Sequence, residues 1–206
     1  MADATADQPT ADAPAIELTE GMRTLRDHLL GTFPSAQASA FRGELTILVP
    51  PADLLAVLAF CKNDPAVACE LLSDLAAVHW PAGVSENNDQ ETTGWPTFTE
   101  VNTDGRIELD YLLRSISRNH WLRVRVEVPD VDPAVQSATA QYASANFMER
   151  EVLDLMGVTF TDHPNPARIM MPEDWEGHPH RKDYPLGGVE VMYKGHTVAP
   201  PDERDY

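Results

Sequence analysis

The sequence has few cysteines, and the two that it has exclude several kinds of metal site. Cys61 and Cys69 are the only cysteines among 206 residues, and they do not form a C-x-x-C pair. An iron–sulfur cluster normally takes four thiolates, and a structural zinc site of the cysteine-rich kind needs more than two. We therefore expect both residues to be buried, reduced thiols, which is their usual state in a cytoplasmic chain.

Basic residues are also scarce. The chain has 33 acidic residues against 15 lysines and arginines, so its formal net charge is −18. A field of this sign repels phosphate backbones and anionic lipid headgroups, which argues against nucleic-acid binding and against direct docking on a membrane. It is compatible with a partner that carries basic patches, although solubility alone is the simpler interpretation.

The sequence lacks long apolar runs and a secretory signal. No apolar run approaches the roughly 20 residues needed to cross a bilayer. Residues 1–5 are acidic and precede no apolar h-region, unlike a signal peptide. These features predict a chain on the cytoplasmic side of the membrane, with any membrane association made indirectly through partners.

Motifs of common enzymes are missing as well. No G-x-G-x-x-G follows a predicted strand, and neither G-x-x-x-x-G-K-[ST] nor G-x-S-x-G is present. Gly187 and Gly188 alone do not make a phosphate-binding loop. The sequence therefore gives no support for binding of NADH by this chain or for acyl transfer.

The N-terminal third predicts a tail followed by alternating helices and strands. Residues 1–15 are acidic and have no large apolar side chain after the first, so we expect a disordered tail. Helical spacing of apolar residues predicts a helix over 16–30 that Gly31 ends. A strand is expected at 45–49, and a helix over 53–62 that Asp53 caps.

The middle of the chain predicts a sheet. Residues 70–80 fit strand and helix about equally, and 81–98 are expected to form a polar loop or insertion. A hairpin turn at 102–105 should lead into a strand at 107–113, and 122–128 alternate strictly between apolar and charged residues. The predicted fold is α+β: a mainly antiparallel sheet covered on one face by helices, formed by residues 16–160.

The last helix of this domain is predicted at 145–156. Gly157 is well placed as the glycine that follows a helix C-terminus. The helix carries one apolar stripe at helical spacing, made of Met148, Val152, Leu155 and Met156.

Carboxylates border this stripe. Glu149 and Glu151 lie on its two sides, whereas Asp154 lies on the opposite face of the helix. Because an unpaired charge beside a buried seam is costly, we expect Glu149 or Glu151 to pair with Arg168 or Arg181. A solvated helix with charges at its rim is the alternative.

Residues 161–206 differ in character from the rest. Residues 162–206 hold seven of the 17 prolines and four of the seven histidines, and the prolines prevent a long helix or a central strand. The segment nevertheless contains apolar and aromatic residues that need burial, Trp175 among them. We therefore predict an extended arm whose surface is buried against a partner protein.

The same region carries a family resemblance. Its runs are ERE at 149–151, DLMGVTF at 154–160, RIMMPEDWEGHP at 168–179 and RKDYPL at 181–186. Together they closely resemble the signature of the C subunit of bacterial NADH:quinone oxidoreductase, the thirty-kilodalton class subunit of respiratory complex I. Looser similarity extends back to about residue 40. Phe147, Met148 and Ala167 depart from residues common in that family.

The resemblance implies a non-catalytic subunit of the peripheral arm of complex I. It implies that this chain binds no cofactor and that FMN and the iron–sulfur clusters are bound by partner subunits. The partners would be the large quinone-site subunit and the small terminal-cluster subunit, which the C-terminal arm would wrap. The expected partner interface consists of Glu149, Glu151, Arg168, Trp175, His178, Arg181, Lys182, Asp183 and Tyr184.

Two other functions remain open. The first is the equivalent subunit of a membrane-bound hydrogenase or formate-oxidising complex. The second is an independent metal-dependent enzyme, because a His-x-His pair near carboxylates can hold Zn²⁺ or another divalent ion. The candidate ligands are Asp162, His163, His178, His180 and Asp183.

Overall fold

The structure is a computed structural model that describes residues 18–86, 99–102, 104–184, 191–193 and 196–198. The predicted tail at 1–15 and most of the predicted insertion, 87–98, lie outside these residues. Within them, no helix is long and apolar enough to cross a membrane.

A five-stranded sheet forms the centre of the fold. Its order is β1-β2-β7-β6-β3, and β2 and β7 are its one parallel pair. The strands are β1 (Gln37–Phe41), β2 (Glu44–Leu48), β3 (Leu71–Trp80), β6 (Arg106–Ser115) and β7 (His120–Pro129).

Six short strands form three separate pairs. They are β4 (Gly83–Glu86) with β5 (Thr99–Asn102), β8 (Ala134–Gln136) with β9 (Thr159–Thr161), and β10 (Val191–Tyr193) with β11 (His196–Val198). The helices are α1 (Glu20–Thr32), α2 (Leu54–Asn63) and α3 (Ala145–Met156), and single 3₁₀ turns cover Pro51–Asp53 and Ala138–Ala140.

One face of the sheet is the apolar core. Alternate side chains of β6 and β7 point to this face, as period-2 patterning requires, and are buried. Apolar residues of all three helices join them in a single cluster. The α+β prediction is confirmed. The members of the cluster from β6, β7 and α2 are Ile107, Leu109, Tyr111, Leu113, Leu122, Val124, Val126, Val128, Leu54, Val57, Leu58 and Cys61.

The opposite face of the sheet carries paired charges. Arg125 donates two hydrogen bonds of 2.7 Å to the carboxylate of Asp110 on the neighbouring strand. Arg123 lies 3.0 Å from Glu44. Alternation of apolar and charged residues in β7 therefore separates a dry face from an ion-paired one.

Several predicted element boundaries shift. Helix α1 begins after Thr19, whose hydroxyl accepts a hydrogen bond from the Met22 amide, and it continues past Gly31. Asp53 makes no capping bond; its carboxylate accepts a hydrogen bond from the Ser35 hydroxyl at 2.6 Å. Strand β1 was not predicted, because nearly all of its side chains are exposed and show no alternation.

The ambiguous residues 70–80 form strand β3. A register shift between Leu72 and Asp74 inserts one extra residue, which breaks the alternation that periodicity relies on. The predicted loop at 81–98 is wrong at 83–86, which form β4. The hairpin turn at 102–105 is also wrong, because β5 pairs with β4 and not with β6.

Candidate functional site

Helix α3 is the element to which the start of the C-terminal arm is attached. It spans the predicted residues and ends at Gly157, which has the left-handed φ of 78°. A side chain at Gly157 would also meet the ring of His178, since a Cβ there would lie 2.5 Å from it. Gly157 thus permits both the helix end and the close approach of the arm.

The Asp154 carboxylate is the main attachment point. It is fully buried, and its Oδ2 accepts hydrogen bonds from the amides of Ile169, Met170 and Met171 at 3.0, 2.7 and 2.9 Å. Its Oδ1 accepts a 2.7 Å bond from Arg168. Burial alone would raise the pKa of Asp154, but these donors lower it to about 2.

A second attachment point lies at the end of strand β3. The buried His79 ring accepts a hydrogen bond at Nδ1 from the Lys182 amide, at 3.0 Å. Its Nε2 lies 3.4 Å from Asp130, and the Asp183 carboxylate lies 3.7 Å from Nδ1. Arg181 donates to the Asp130 carbonyl oxygen. The arm is therefore held against its own domain at two places.

Between these points, the backbone of His178 and its neighbours follows helix α3. His178 Nδ1 lies 2.9 Å from the Asp154 carbonyl oxygen, to which it donates, and the His180 amide donates to the Leu155 carbonyl at 3.0 Å. Tyr184 packs its ring over Gly177, where a Cβ would lie 2.8 Å from the ring. Most of these contacts are made to backbone atoms, so many side chains of the arm stay exposed.

The predicted pairing of Glu149 or Glu151 with Arg168 or Arg181 is wrong. Glu149 is fully buried and accepts 2.6 Å hydrogen bonds from the Ser137 hydroxyl and the Ala138 amide. Its burial raises its pKa.

The two other carboxylates of helix α3 account for the error. Glu151 is exposed. Asp154, which the helical pattern places away from the apolar stripe, is the residue that binds Arg168. The arm buries a second face of the helix. The arm has no helical or strand pattern, so hydrophobic periodicity gives no sign that it packs there.

The anchored arm presents an apolar and acidic surface. Met170 is 62% exposed and Trp175 is 39% exposed, although both lie within a segment that is fixed by its backbone. We call this set the arm surface; it consists of the exposed residues Ile169, Met170, Glu173, Asp174, Trp175 and Glu176.

The nine predicted interface residues fall into distinct groups. Arg168 and His178 contact Asp154. Lys182 and Asp183 lie against His79, and Arg181 donates to the Asp130 carbonyl beside it, so these five residues hold the arm in place within the chain. Trp175 lies on the arm surface, and Tyr184 supports the turn at Gly177. Glu149 and Glu151 do not join either group. Whether any of the nine contacts a partner stays a prediction.

Sequence reasoning missed Asp154, His79 and Asp130. The available signals are an acidic residue on the helix face opposite the apolar stripe and a histidine within an apolar strand. Both are far more often solvated or satisfied locally, so neither signal points to the arm.

The proposed metal ligands are not brought together. His163 accepts the Asn165 amide at Nδ1 and donates from Nε2 to the Asn146 carbonyl, both at 3.0 Å. His178 is bonded to helix α3. In the described ranges no group of three or more His, Cys, Asp or Glu side chains could hold a metal ion. The metal-enzyme hypothesis therefore gains no support from the geometry.

Comparison with solved structures shows the same fold in two other proteins. A trypsin-resistant fragment of Nqo5 matches with a TM-score of 0.50 and 24% identity over 70% of this chain and 98% of that one. A chain of the membrane-bound sulfane sulfur reductase, an archaeal respiratory membrane complex, matches with a TM-score of 0.56 and 22% identity over 81% of this chain and 87% of that one.

Sequence comparison identifies nearer relatives, each named as the C subunit of NADH-quinone oxidoreductase. The protein from Nocardia farcinica is 38% identical over 91% of this chain and 68% of its own length. Those from Acidothermus cellulolyticus and Streptomyces coelicolor are 40% and 39% identical over 79% of this chain and over 75% and 57% of their own lengths.

The family model described as respiratory-chain NADH dehydrogenase, 30 Kd subunit, matches residues 47–190. This match covers more than half of the chain, including most of the sheet, helix α3 and the anchored arm. The chain belongs to the family of the 30 Kd subunit of respiratory-chain NADH dehydrogenase.

Proposed function

We propose that this chain is a non-catalytic scaffold subunit in the peripheral arm of a proton-translocating NADH:quinone oxidoreductase. It would support electron transfer from NADH to quinone by positioning the quinone-site and terminal-cluster subunits. The observation that carries the proposal is the anchored arm, which holds Met170 and Trp175 exposed at fixed positions. Relatives named as the C subunit of NADH-quinone oxidoreductase support the choice of complex.

The physical advantage of the anchored arm is preorganisation. A disordered segment that folds on binding loses part of its interaction free energy to ordering. Here the Asp154 and His79 contacts order the backbone before a partner arrives. Burial of the Trp175 ring then contributes more fully to affinity, and aromatic residues of this kind dominate interface energetics.

The partner implied by the arm surface has an apolar cleft with a basic rim. Glu173, Asp174 and Glu176 flank Trp175, and each is exposed. Basic residues opposite these carboxylates would favour correct orientation and faster association. We assign this role to the large quinone-site subunit and the small terminal-cluster subunit.

The chemistry of the complex would lie entirely on its neighbours. FMN and iron–sulfur clusters would be bound by partner subunits, and this chain would carry no active site. Its place would be on the cytoplasmic side of the cell membrane, attached through the complex. The chain would influence turnover only by holding the catalytic subunits rigid.

A second candidate is the equivalent subunit of a membrane-bound hydrogenase or formate-oxidising complex. The fold similarity to a chain of an archaeal respiratory membrane complex favours it. That similarity is 22% in sequence, whereas the relatives named for the quinone enzyme reach 38–40%. The quinone enzyme is therefore the better supported choice.

The test is affinity purification of the tagged chain from membranes solubilised in mild detergent. We expect flavin- and iron–sulfur-containing subunits to co-purify, and Trp175→Ala to reduce their yield about tenfold or more, as for an interface hot spot. Val131→Ala is the control, since Val131 is 81% exposed and lies outside the arm. Undiminished co-purification with Trp175→Ala would contradict the proposal.

A further inference from the structure

A second group of exposed apolar residues lies at one end of the sheet. Leu71 and Trp121 flank Arg114 on the two strands beside it. Phe41 ends β1 at the same end of the sheet, two strands beyond Trp121. Ile116 follows the end of β6. All four apolar side chains are exposed, Trp121 to 51%. We call this end of the sheet the Trp121 surface.

The Trp121 surface is remote from the arm. Leu71 begins β3 and His79, where the arm is attached, lies near its end. Eight residues of strand at about 3.3 Å each separate these points by roughly 26 Å. The Trp121 surface therefore lies at the opposite end of β3 from the point where the arm is attached to it.

Positive charge is concentrated at the Trp121 surface. The Arg114 guanidinium lies 4.7 Å from the centre of the Trp121 ring, and that of Arg42 lies 5.1 Å from the Phe41 ring. Arg118 has no ion-pair partner among the residues that the structure describes.

The nearby acids are already occupied. Glu44 pairs with Arg123, and Glu70 accepts hydrogen bonds from the Ile116 amide and the Ser117 hydroxyl. In a chain whose net charge is −18, an end of the sheet with three arginines and two occupied glutamates is a local exception.

The arginines also contribute to the lowered pKa of a neighbouring histidine. The pKa of His120 is lowered by burial first, and then by the charges of Arg118 and Arg114. Glu70 acts in the opposite direction without cancelling them.

A cleft beside Trp121 supplies a binding volume. It measures about 740 Å³ and is bounded by helix α1, the β1–β2 turn and the β6–β7 turn. This size is within the usual range for a site that takes a small ligand or a few side chains. Its lining combines apolar residues with polar and charged ones: Met22, Leu25 and Trp121 with His28, Glu44, Arg118 and His120.

We propose that the Trp121 surface binds a segment of a partner protein that presents carboxylates beside apolar side chains. The apolar groups would enter the cleft against Trp121, and the carboxylates would meet Arg118 and Arg114. Nucleic acids and anionic membranes also offer negative charge, but their extended fields would be repelled by the rest of this acidic chain. A short protein segment would contact only the Trp121 surface and would avoid the acidic remainder of the chain.

This inference is independent of the proposed function, because it involves neither the arm nor the identity of the complex. With the arm surface, it gives the chain two separate binding surfaces of different charge. The acidic arm surface and the basic Trp121 surface would select different partners, which is how a scaffold can hold two subunits at a fixed distance.

The test uses the full chain and a fluorescein-labelled peptide of Glu, Ser and Leu, followed by fluorescence anisotropy. A peptide with Lys in place of Glu is the matched probe. We expect the Glu peptide to bind and the Lys peptide not to bind. Trp121→Ala and Arg118→Glu should each weaken binding by about tenfold, a typical effect for a central interface residue. Arg26→Glu makes the same charge change outside the cleft and should have little effect, as should Trp175→Ala.

The His120 ring provides a second readout. Carboxylates that arrive beside Arg118 and Arg114 offset the charges that lower the pKa of His120, so binding should raise that pKa in an NMR titration. A purely apolar contact elsewhere on the chain would leave it unchanged.

Several outcomes would overturn the proposal. One is equal binding of the Glu and Lys peptides, and another is unchanged binding to both Trp121→Ala and Arg118→Glu. Tighter binding of single-stranded DNA or of phosphatidylglycerol vesicles at this surface would assign it to a different class of partner. Binding that emerges only after removal of residues 1–15 would assign the cleft to the chain's own acidic residues.

Discussion

The sheet core and the C-terminal arm are stabilised in different ways. The core buries a continuous set of apolar side chains from the sheet and the three helices. The arm residues 162–184 are held by a few polar contacts, chiefly to Asp154 and His79, while Met170 and Trp175 remain exposed. Burial that is spread over many residues is cooperative, whereas attachment at two points can open locally.

This contrast explains why the two regions suit different tasks. A cooperative core gives the chain its global stability. The arm is ordered well enough to present side chains, yet it leaves apolar area uncovered that only another surface can bury. The contrast predicts that mutations in the two regions should have separable effects.

The largest effect is expected in the core. Leu109→Ala removes a fully buried side chain and should lower the free energy of unfolding by about 3 kcal/mol, as measured by denaturant titration. Hydrogen exchange of the arm amides, which occurs by local opening of the arm, should stay unchanged because the arm makes its contacts with Asp154 and His79 and not with Leu109. A parallel loss of protection at residues 169–171 would show that core and arm unfold as one unit.

The second effect concerns the arm. Asp154→Asn keeps the shape but removes the charge and one of the two acceptor oxygens. The amides at 169–171 and the Arg168 guanidinium can then no longer all be bonded, and the bonds that remain lose their charge assistance. We expect hydrogen exchange of the three amides to accelerate roughly 30-fold, or about 2 kcal/mol, with a smaller change in global unfolding. Asp174→Asn is the control, since Asp174 is exposed on the same arm. Equal effects of the two substitutions would show that the Asp154 carboxylate does not hold the arm.

The third effect is a pH dependence of arm protection. The pKa of Asp154 is lowered from 3.8 to about 2, so the ionised form stabilises the docked arm above the ordinary pKa of the group. This stabilisation is lost as the pH falls from about 4 towards 2, and protection at pH 3 should be roughly sevenfold below its neutral value. Asp154→Asn should remove this step. A step of the same size in the variant would assign it to another group.

The smallest effect is at the second attachment point. His79→Gln removes the acceptor at the Nδ1 position, and the Lys182 amide should exchange roughly fivefold faster, or about 1 kcal/mol. His79→Asn places an oxygen near the position of Nδ1 and should restore most of the protection. If both variants behave like the parent chain, the bond to Lys182 does not hold the arm.

Elements with a strong period could be predicted from the sequence. Residues 122–128 alternate strictly, and the stripe of helix α3 with Gly157 at its end fixes that helix to the residue. Strand β3 could not be assigned because a bulge interrupts its alternation. Strand β1 could not be found because its exposed side chains give no apolar signal.

The sequence singled out part of the arm's attachment, but for a different role. Arg168, His178 and Arg181 were predicted to contact a partner, which stays a prediction, and their contacts with Asp154 and Asp130 within the chain were not predicted. Such contacts join a helix or a strand to an aperiodic segment, so no spacing rule connects them. Asp154 is buried because the arm packs over it, and the pattern of residues in the helix does not indicate where the arm lies.

The arm surface is expected to be exposed in the free chain and covered in the complex. Hydroxyl-radical footprinting measures this directly, by comparing oxidation of Met170 and Trp175 in the isolated chain and in the complex purified from membranes. We expect strong protection of both residues in the complex and unchanged oxidation of Val131. Equal oxidation of Met170 and Trp175 in the two samples would contradict the account.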